Sequence, residues 1–342
     1  TAYEFRLSLV GSEMCIRDSR LGTLFALFWS AIAAAPATAQ SFTARGLAVT
    51  ANNPTSLQFG PDSRLYLSEQ YGVIRAFTVV RSATGEYSAT GSEVINLIRD
   101  IQNRDDAGGA CTADCARRQV TGLLVTGSAS NPVLYVTSSD PRIAVASDSG
   151  LDTNSGIVTR LTCTGGITSG NCVTWDRVDI VRGLPRSEEN HSNNGMDLDA
   201  ATNTLYLAVG GTTNQGAPSY SFSGTTEYFL AAAILAIDLD AIAAIEVANG
   251  GPYIDARNAT RFVYDLLTLD DPTRANITAS SPAFPYAVGH PRRNFSIDSG
   301  DPFGGNDGFN QAISEPGSPV LIHSPGFRNP YDVLVASNGK LW

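Results

Sequence analysis

Apolar and polar residues alternate along this chain in short runs, and the runs are bounded by Gly, Asn, Asp or Pro. Period-two alternation between turn formers predicts half-buried β-strands, and amphipathic helical periodicity is scarce. One pattern recurs: an alternating apolar stretch, a polar turn, then a Leu-aromatic pair that continues as strand. Its copies are SLQFGPDSRLYLSEQ (56–70), GLLVTGSASNPVLYVTSS (122–139), GMDLDAATNTLYLAVGG (195–211) and DVLVASNGKLW (332–342). The pairs are Leu65-Tyr66, Leu134-Tyr135, Leu205-Tyr206 and Leu341-Trp342, separated by 69, 71 and 136 residues. A further strand is predicted behind each of the first three copies, at 72–79, 156–162 and 233–240.

A hairpin with a returning strand at a fixed period is the mark of a β-propeller blade. Blades of the WD type take ~40–45 residues, so a period near 70 implies long connecting loops. A plain β-sandwich with similar hairpins is the alternative; the near-equal spacing of the first three copies favours the propeller. The doubled last interval, with loop-like composition over 271–318, predicts an insertion around 241–318. About four blades are then expected across residues 40–342. The sequence stops part-way through the last hairpin, while a propeller protects its edges by closing. The expectation is an all-β, incomplete propeller that forms the N-terminal part of a longer one.

Composition narrows the partners. A formal charge of −10 and no Lys/Arg cluster argue against nucleic acid. Residues 20–39, RLGTLFALFWSAIAAAPATA, read as a signal peptide with cleavage after Ala39. A membrane anchor is the alternative, but the apolar run from Leu21 to Ala35 is shorter than the ~20 residues a span requires. No stable span is expected after cleavage, and the protein is expected to be exported, to the periplasm or outside the cell. Residues 1–19 have a different character, and LSLVGSEMCIRDS (7–19) resembles a translated cloning adaptor. Cys15 is then foreign to the protein.

Four cysteines remain: Cys111, Cys115, Cys163 and Cys172. An even count behind a signal peptide predicts disulfides, with three possible pairings. The local one is favoured, Cys163 with Cys172 across a Gly-rich hairpin and Cys111 with Cys115 around a small loop. Zinc is the alternative, but C-x3-C plus C-x8-C without a nearby His is weak for that metal.

Propellers carry function on the loops at the mouth of the central channel. Two loops stand out, ENHSNNG (189–195) and SPGFRNPYD (324–332), each directly before the first strand of a repeat copy. Sharing that position, they should emerge on one rim, bringing His191 and Arg328 together. His191 is one of three histidines; His290 and His323 have no comparable context.

The segments NPTSLQFGPDSRLYLSEQYGVIRAF, ENHSNNGMDLDAATNTLYLAVGGTTNQG and SPGFRNPYDVLVASNGKLW resemble the glucose/sorbosone dehydrogenase family. That family includes soluble quinoprotein glucose dehydrogenases and aldose sugar dehydrogenases, six-bladed propellers that use pyrroloquinoline quinone (PQQ). The resemblance implies an oxidoreductase acting on the CH–OH group of a sugar or polyol, with an external electron acceptor. It makes His191 the catalytic base, a role that suits an imidazole with an ordinary pKa near 6.5. It gives Arg328 the stabilisation of charge on the quinone, and Arg328 and Asn329 the binding of cofactor. Two departures are visible: Asn190 stands where the glucose dehydrogenases carry an acid, and the large region 241–318 does not resemble the short connection expected there.

Calcium is a further candidate, since DSGDPFGGNDG (298–308) offers Asp298, Asp301, Asn306 and Asp307, although the spacing is not that of an EF-hand. A non-catalytic extracellular propeller that binds carbohydrate or protein is the alternative function. A metal-dependent lactonase is a third, for which Glu69 is the one rim-adjacent acid.

Overall fold

The computed structural model describes residues 44, 46–103, 111, 117–142, 154–187, 190–219, 221–222, 226–255, 259–268, 312–314 and 316–342. The segments read as adaptor and signal peptide therefore lie outside the described residues. Arg45–Trp342 forms one compact unit.

The unit is all-β in plan, built from antiparallel sheets in which consecutive strands are neighbours. The first sheet runs β1 (Pro54–Phe59), β2 (Arg64–Glu69), β3 (Ile74–Arg81) and β4 (Tyr87–Ile95). The second continues with β5 (Gln119–Gly127), β6 (Pro132–Ser139), β7 (Gly156–Thr168) and β8 (Asn171–Leu184). The third begins with β9 (Asn193–Asp199), β10 (Thr204–Val209) and β11 (Ala233–Asp238). Each of the first three Leu-aromatic pairs sits within the second strand of its sheet, β2, β6 and β10, and each predicted further strand is the third, β3, β7 and β11.

The insertion interrupts the third sheet between its third and fourth strands. It opens with helix α1 (Leu239–Ala248), then β12 (Tyr253–Ile254), β13 (Arg261–Asp265), β14 (Leu267–Thr268) and β15 (Ala312–Ile313). The chain then returns as β16 (Val320–Pro325), which pairs with β11 and completes the sheet order β16-β11-β10-β9. The predicted strand over 233–240 thus ends at Asp238, whose carboxylate accepts the amides of Asp240 and Ala241 at 2.9 Å and caps α1. The inserted region thus holds a helix and short strands before residue 269, and 271–311 of the stretch expected to be loop lies outside the described residues. β13 pairs in parallel with β8, so the insertion extends the second sheet to six strands. Arg182 clamps it there, donating to Asp255 (3.1 Å) and Asp265 (2.9 Å) and stacking on Phe262.

The first strands of successive sheets lie side by side, the arrangement of blades about an axis. Gln58 of β1 exchanges hydrogen bonds with Val125 of β5, and Thr121 of β5 donates to the Asn193 carbonyl of β9. The contact is so close that a Cβ on Gly122 would stand 2.2 Å from the Asn194 carbonyl oxygen, so only glycine fits. Apolar residues fill the spaces between sheets: Tyr66, Ile74, Leu134 and Ile157 between the first and second, Val181, Leu207 and Leu235 between the second and third. Residues 332–342 start a further hairpin, with Leu334 and Trp342 exchanging backbone hydrogen bonds at 2.9 and 2.8 Å. Three four-stranded meanders and this hairpin correspond to the four repeat copies.

Cys163 and Cys172 are joined across the β7–β8 hairpin, the local pairing expected. Cys111 is also disulfide-bonded, and its expected partner Cys115 lies outside the described residues.

Candidate functional site

The two loops singled out by their repeat position pack against each other. Tyr331 accepts the Gly195 amide through its carbonyl (2.8 Å), and Asn194 Nδ2 donates to the Pro330 carbonyl (2.8 Å). Asn329 Nδ2 donates to the Asn190 carbonyl (2.7 Å), while its Oδ1 accepts from Asn194 (3.1 Å). Asn329 thus ties one loop to the other. The prediction that His191 and Arg328 share a rim is met.

His191 follows the end of β8 and precedes β9. The turn is closed by the Ser187 amide, which donates to the His191 carbonyl at 3.1 Å. Gly210 lets β10 pass beneath it, for a Cβ there would stand 2.8 Å from His191 Cα. The residue is only 3 % exposed, and its ring packs edge-on against Phe222, with centroids 4.7 Å apart. Nδ1 lies 2.9 Å from the Gly211 carbonyl oxygen, an atom that can only accept. Nδ1 therefore carries the hydrogen, and in the neutral ring Nε2 holds the lone pair. Among the described residues, Nε2 makes no hydrogen bond. Burial holds the imidazole pKa below its ordinary value; the Gly211 hydrogen bond and Glu227 oppose this, and Arg328 adds to it.

Arg328 is exposed, its guanidinium 6.0 Å above the Phe222 ring and within a long 3.4 Å contact of Asn214 Oδ1. Its carbonyl accepts the Gly211 amide at 2.9 Å, so Arg328 and His191 are both anchored to Gly211. Glu227, which the sequence reading passed over, lies on the other side of Gly211 and accepts the Thr212 amide at 2.6 Å. No periodicity marks it, because it belongs to the irregular β10–β11 connection.

Two cavities flank this cluster. One, of about 470 Å³, lies where the first strands begin; Asn53, Gln70, Gln119, Asn190, Asn194 and Asn329 line it, with Thr55, Thr121, Pro54 and Tyr331, and none of its lining residues is charged. The other, of about 590 Å³, takes in Glu227, Arg328, Phe229, Phe327, Thr213 and Gln215 among its walls. His191 stands between, with its neighbour Asn190 on the first and Arg328 on the second.

Other expected site residues fall elsewhere. Glu69, nominated as the rim acid of a lactonase, is 3 % exposed and consumed by Arg75 Nε (2.6 Å) and the Asn52 amide (3.0 Å), because β2 turns it inward. His323 stacks edge-on with Tyr206, centroids 4.9 Å apart. His290 and the calcium candidates Asp298, Asp301, Asn306 and Asp307 lie outside the described residues. Among the described residues, no group of three His, Cys, Asp or Glu is placed to hold a metal ion. No helix among them is long and apolar enough to cross a membrane.

No family model matches this chain, and no curated protein matches it either. Among solved structures it is similar to a Trichoderma reesei carbohydrate-active enzyme of family AA12, with 15% identity over 58% of this chain and 37% of that one (TM-score 0.33). It is similar to the PQQ-bound aldose sugar dehydrogenase of Streptomyces coelicolor, with 18% identity over 57% of this chain and 47% of that one (TM-score 0.30). A putative oxidoreductase (glucose dehydrogenase) from Thermus thermophilus shares 18% identity over 61% of this chain and 50% of that one (TM-score 0.29). The chain spans half or less of the length of each. Likeness at this level carries no chemical argument, and the all-β assignment rests on the sheets themselves.

Proposed function

We propose that this chain is part of an exported, PQQ-dependent oxidoreductase that acts on the CH–OH group of a sugar or polyol. The observation that carries the reading is the state of His191. Its Nδ1 is held by a carbonyl, its Nε2 bears the lone pair, its pKa is depressed by burial, and a guanidinium stands close by. That is an imidazole kept neutral at physiological pH, the form a general base requires.

The donors present suit an anionic, acceptor-rich quinone. Arg328 is exposed and loosely held, so its guanidinium is available to a carboxylate or a quinone oxygen. Asn329 keeps the loop that presents it in register with the His191 loop. When bound, the quinone supplies a two-electron hydride acceptor, and an external acceptor regenerates it. His191 Nε2 takes the substrate hydroxyl proton, and the amides at the channel mouth hydrogen-bond the remaining hydroxyls. Phe222 packs edge-on against the imidazole and holds the ring in place. Calcium is retained as a candidate partner of the cofactor. The signal-like segment 20–39 and the Cys163–Cys172 disulfide support export.

Dye-linked assays of the protein with PQQ and calcium, across aldoses and polyols, test this. Dye reduction is expected, with a loss of about 10²–10⁴-fold in His191→Ala; no reduction with any substrate would overturn it.

A second reading is a non-catalytic carbohydrate-binding propeller, favoured by the uncharged amide lining of the channel-mouth cavity. Calorimetry distinguishes it: sugar binding without PQQ, unchanged in His191→Ala, would favour binding alone.

A further inference from the structure

We propose that Glu227 is a positioning residue for His191 and acts through the peptide group between Gly211 and Thr212. The inference rests on the reading of His191 as the base. The carbonyl that receives His191 Nδ1–H and the amide that donates to Glu227 belong to one planar unit. At one end the Gly211 oxygen accepts from His191 at 2.9 Å. At the other the Thr212 N–H donates to Glu227 Oε1 at 2.6 Å. The peptide group thus stands between imidazole and carboxylate, where a direct carboxylate–imidazole contact serves in simpler pairs.

The connection is built rather than incidental. Thr212 Oγ1 donates to the same Oε1 at 2.9 Å, and Thr213 Oγ1 donates to Oε2. A Cβ on Gly211 would stand 3.1 Å from Glu227 Oε2 and 3.2 Å from the Arg328 carbonyl oxygen. The unit is therefore gripped from both sides. Ser187 Oγ donates to the Gly211 oxygen as well, at 3.0 Å, filling its second lone pair.

Two consequences follow for the base. A charge-assisted hydrogen bond at the N–H end polarises the peptide and strengthens acceptance at its oxygen. The carbonyl is thereby fixed toward His191, which locks the Nδ1–H tautomer and leaves Nε2 as the proton acceptor. The second consequence is electrostatic. Arg328 and Glu227 are the charged groups that act on His191, and they act in opposite senses as the ring gains a proton. Glu227 offsets the cost that Arg328 imposes on the imidazolium.

The two effects separate in two variants, read by imidazole nitrogen NMR of the full chain without cofactor, with His191→Gln to assign the signal. Glu227→Gln keeps an acceptor for the Thr212 amide and loses the charge; it is expected to move the His191 titration to lower pH while retaining the tautomer. Glu227→Asp keeps the charge and withdraws from the amide; it is expected to yield a tautomer mixture. Thr213→Val removes one hydrogen bond to the carboxylate but neither end of the relay, and is expected to move both signals less than either Glu227 variant. If one Glu227 variant fails to fold, the other decides. The proposal is overturned if a folded Glu227 variant leaves tautomer and titration as in the unmodified chain. Dye-linked turnover in Glu227→Gln is expected to fall about tenfold. Because the NMR measurement needs no turnover, failure of the relay and failure of the oxidoreductase reading are told apart.

Discussion

Glu93 and Glu227 each sit at the centre of a polar cluster, one between the first two sheets and the other at the rim of the third. Glu93 accepts Arg64 Nη1 at 2.5 Å, Trp175 Nε1 at 2.6 Å and the Cys172 amide at 3.2 Å. Arg64 is engaged on its remaining sides by Asp62, the Gly170 carbonyl and the Tyr66 hydroxyl. Burial and the Asp62 hydrogen bond push the Tyr66 phenol well up, so its hydroxyl keeps its proton. Around Glu227 the carboxylate is engaged, yet Arg328 is loosely held and His191 Nε2 has no hydrogen-bond partner among the described residues. A closed cluster joins sheets and an open one can exchange protons and receive ligand; the difference lies in which valences are left over.

Breaking the closed cluster should have the largest effect. Glu93→Ala takes one of two carboxylate partners from a buried guanidinium and leaves an indole N–H without its acceptor, and a loss of about 3–5 kcal/mol is expected by chemical denaturation. A loss below ~1 kcal/mol would mean that the cluster is relaxed by water. Next, replacing Cys163 and Cys172 together by Ser frees the hairpin tip that presents the Cys172 amide to Glu93. A short loop of this kind predicts a cost of about 2–3 kcal/mol, measured the same way.

At the open cluster the stability effects are smaller. Arg328→Ala should change stability by less than about 0.5 kcal/mol, as exposed substitutions do, while weakening the PQQ binding proposed above in a fluorescence titration. Smallest is the pH response of His191. Its folded pKa lies below the unfolded one, so above about 6.5 both states are neutral and no penalty arises. As pH falls below that, the unfolded chain takes up the proton first and stability declines, until the native ring protonates too. Denaturation midpoints from pH 7.5 to 5 should show this slope, and His191→Gln should flatten its His191 component.

The repeats were legible because alternation and turn chemistry are local, and the second and third strands of each sheet fall where the Leu-aromatic pairs indicate. The Cys163–Cys172 pairing was legible for the same reason, since the two residues lie nine apart on the two arms of one hairpin. The start of α1 was signalled by Asp238 and its end by Asn249-Gly250-Gly251, but the Ala-rich run between them lacks a strong apolar stripe. Glu69 misled because strand position alone does not say which way a charged residue points, and β2 turns it toward Arg75.

By itself, the sequence determined the strand periodicity, the local disulfide and the common rim of His191 and Arg328, since each depends on neighbours in the chain or on a repeat register. Only the tertiary structure decided that β13 joins the second sheet, that Phe222 packs against the imidazole, and that Glu227 reaches the peptide behind it. Residues 191, 211 and 227 meet because two separate loops, the β8–β9 turn and the β10–β11 connection, converge at one end of a sheet. Such convergence depends on how sheets pack about their axis, and no local pattern of apolar and polar residues encodes it.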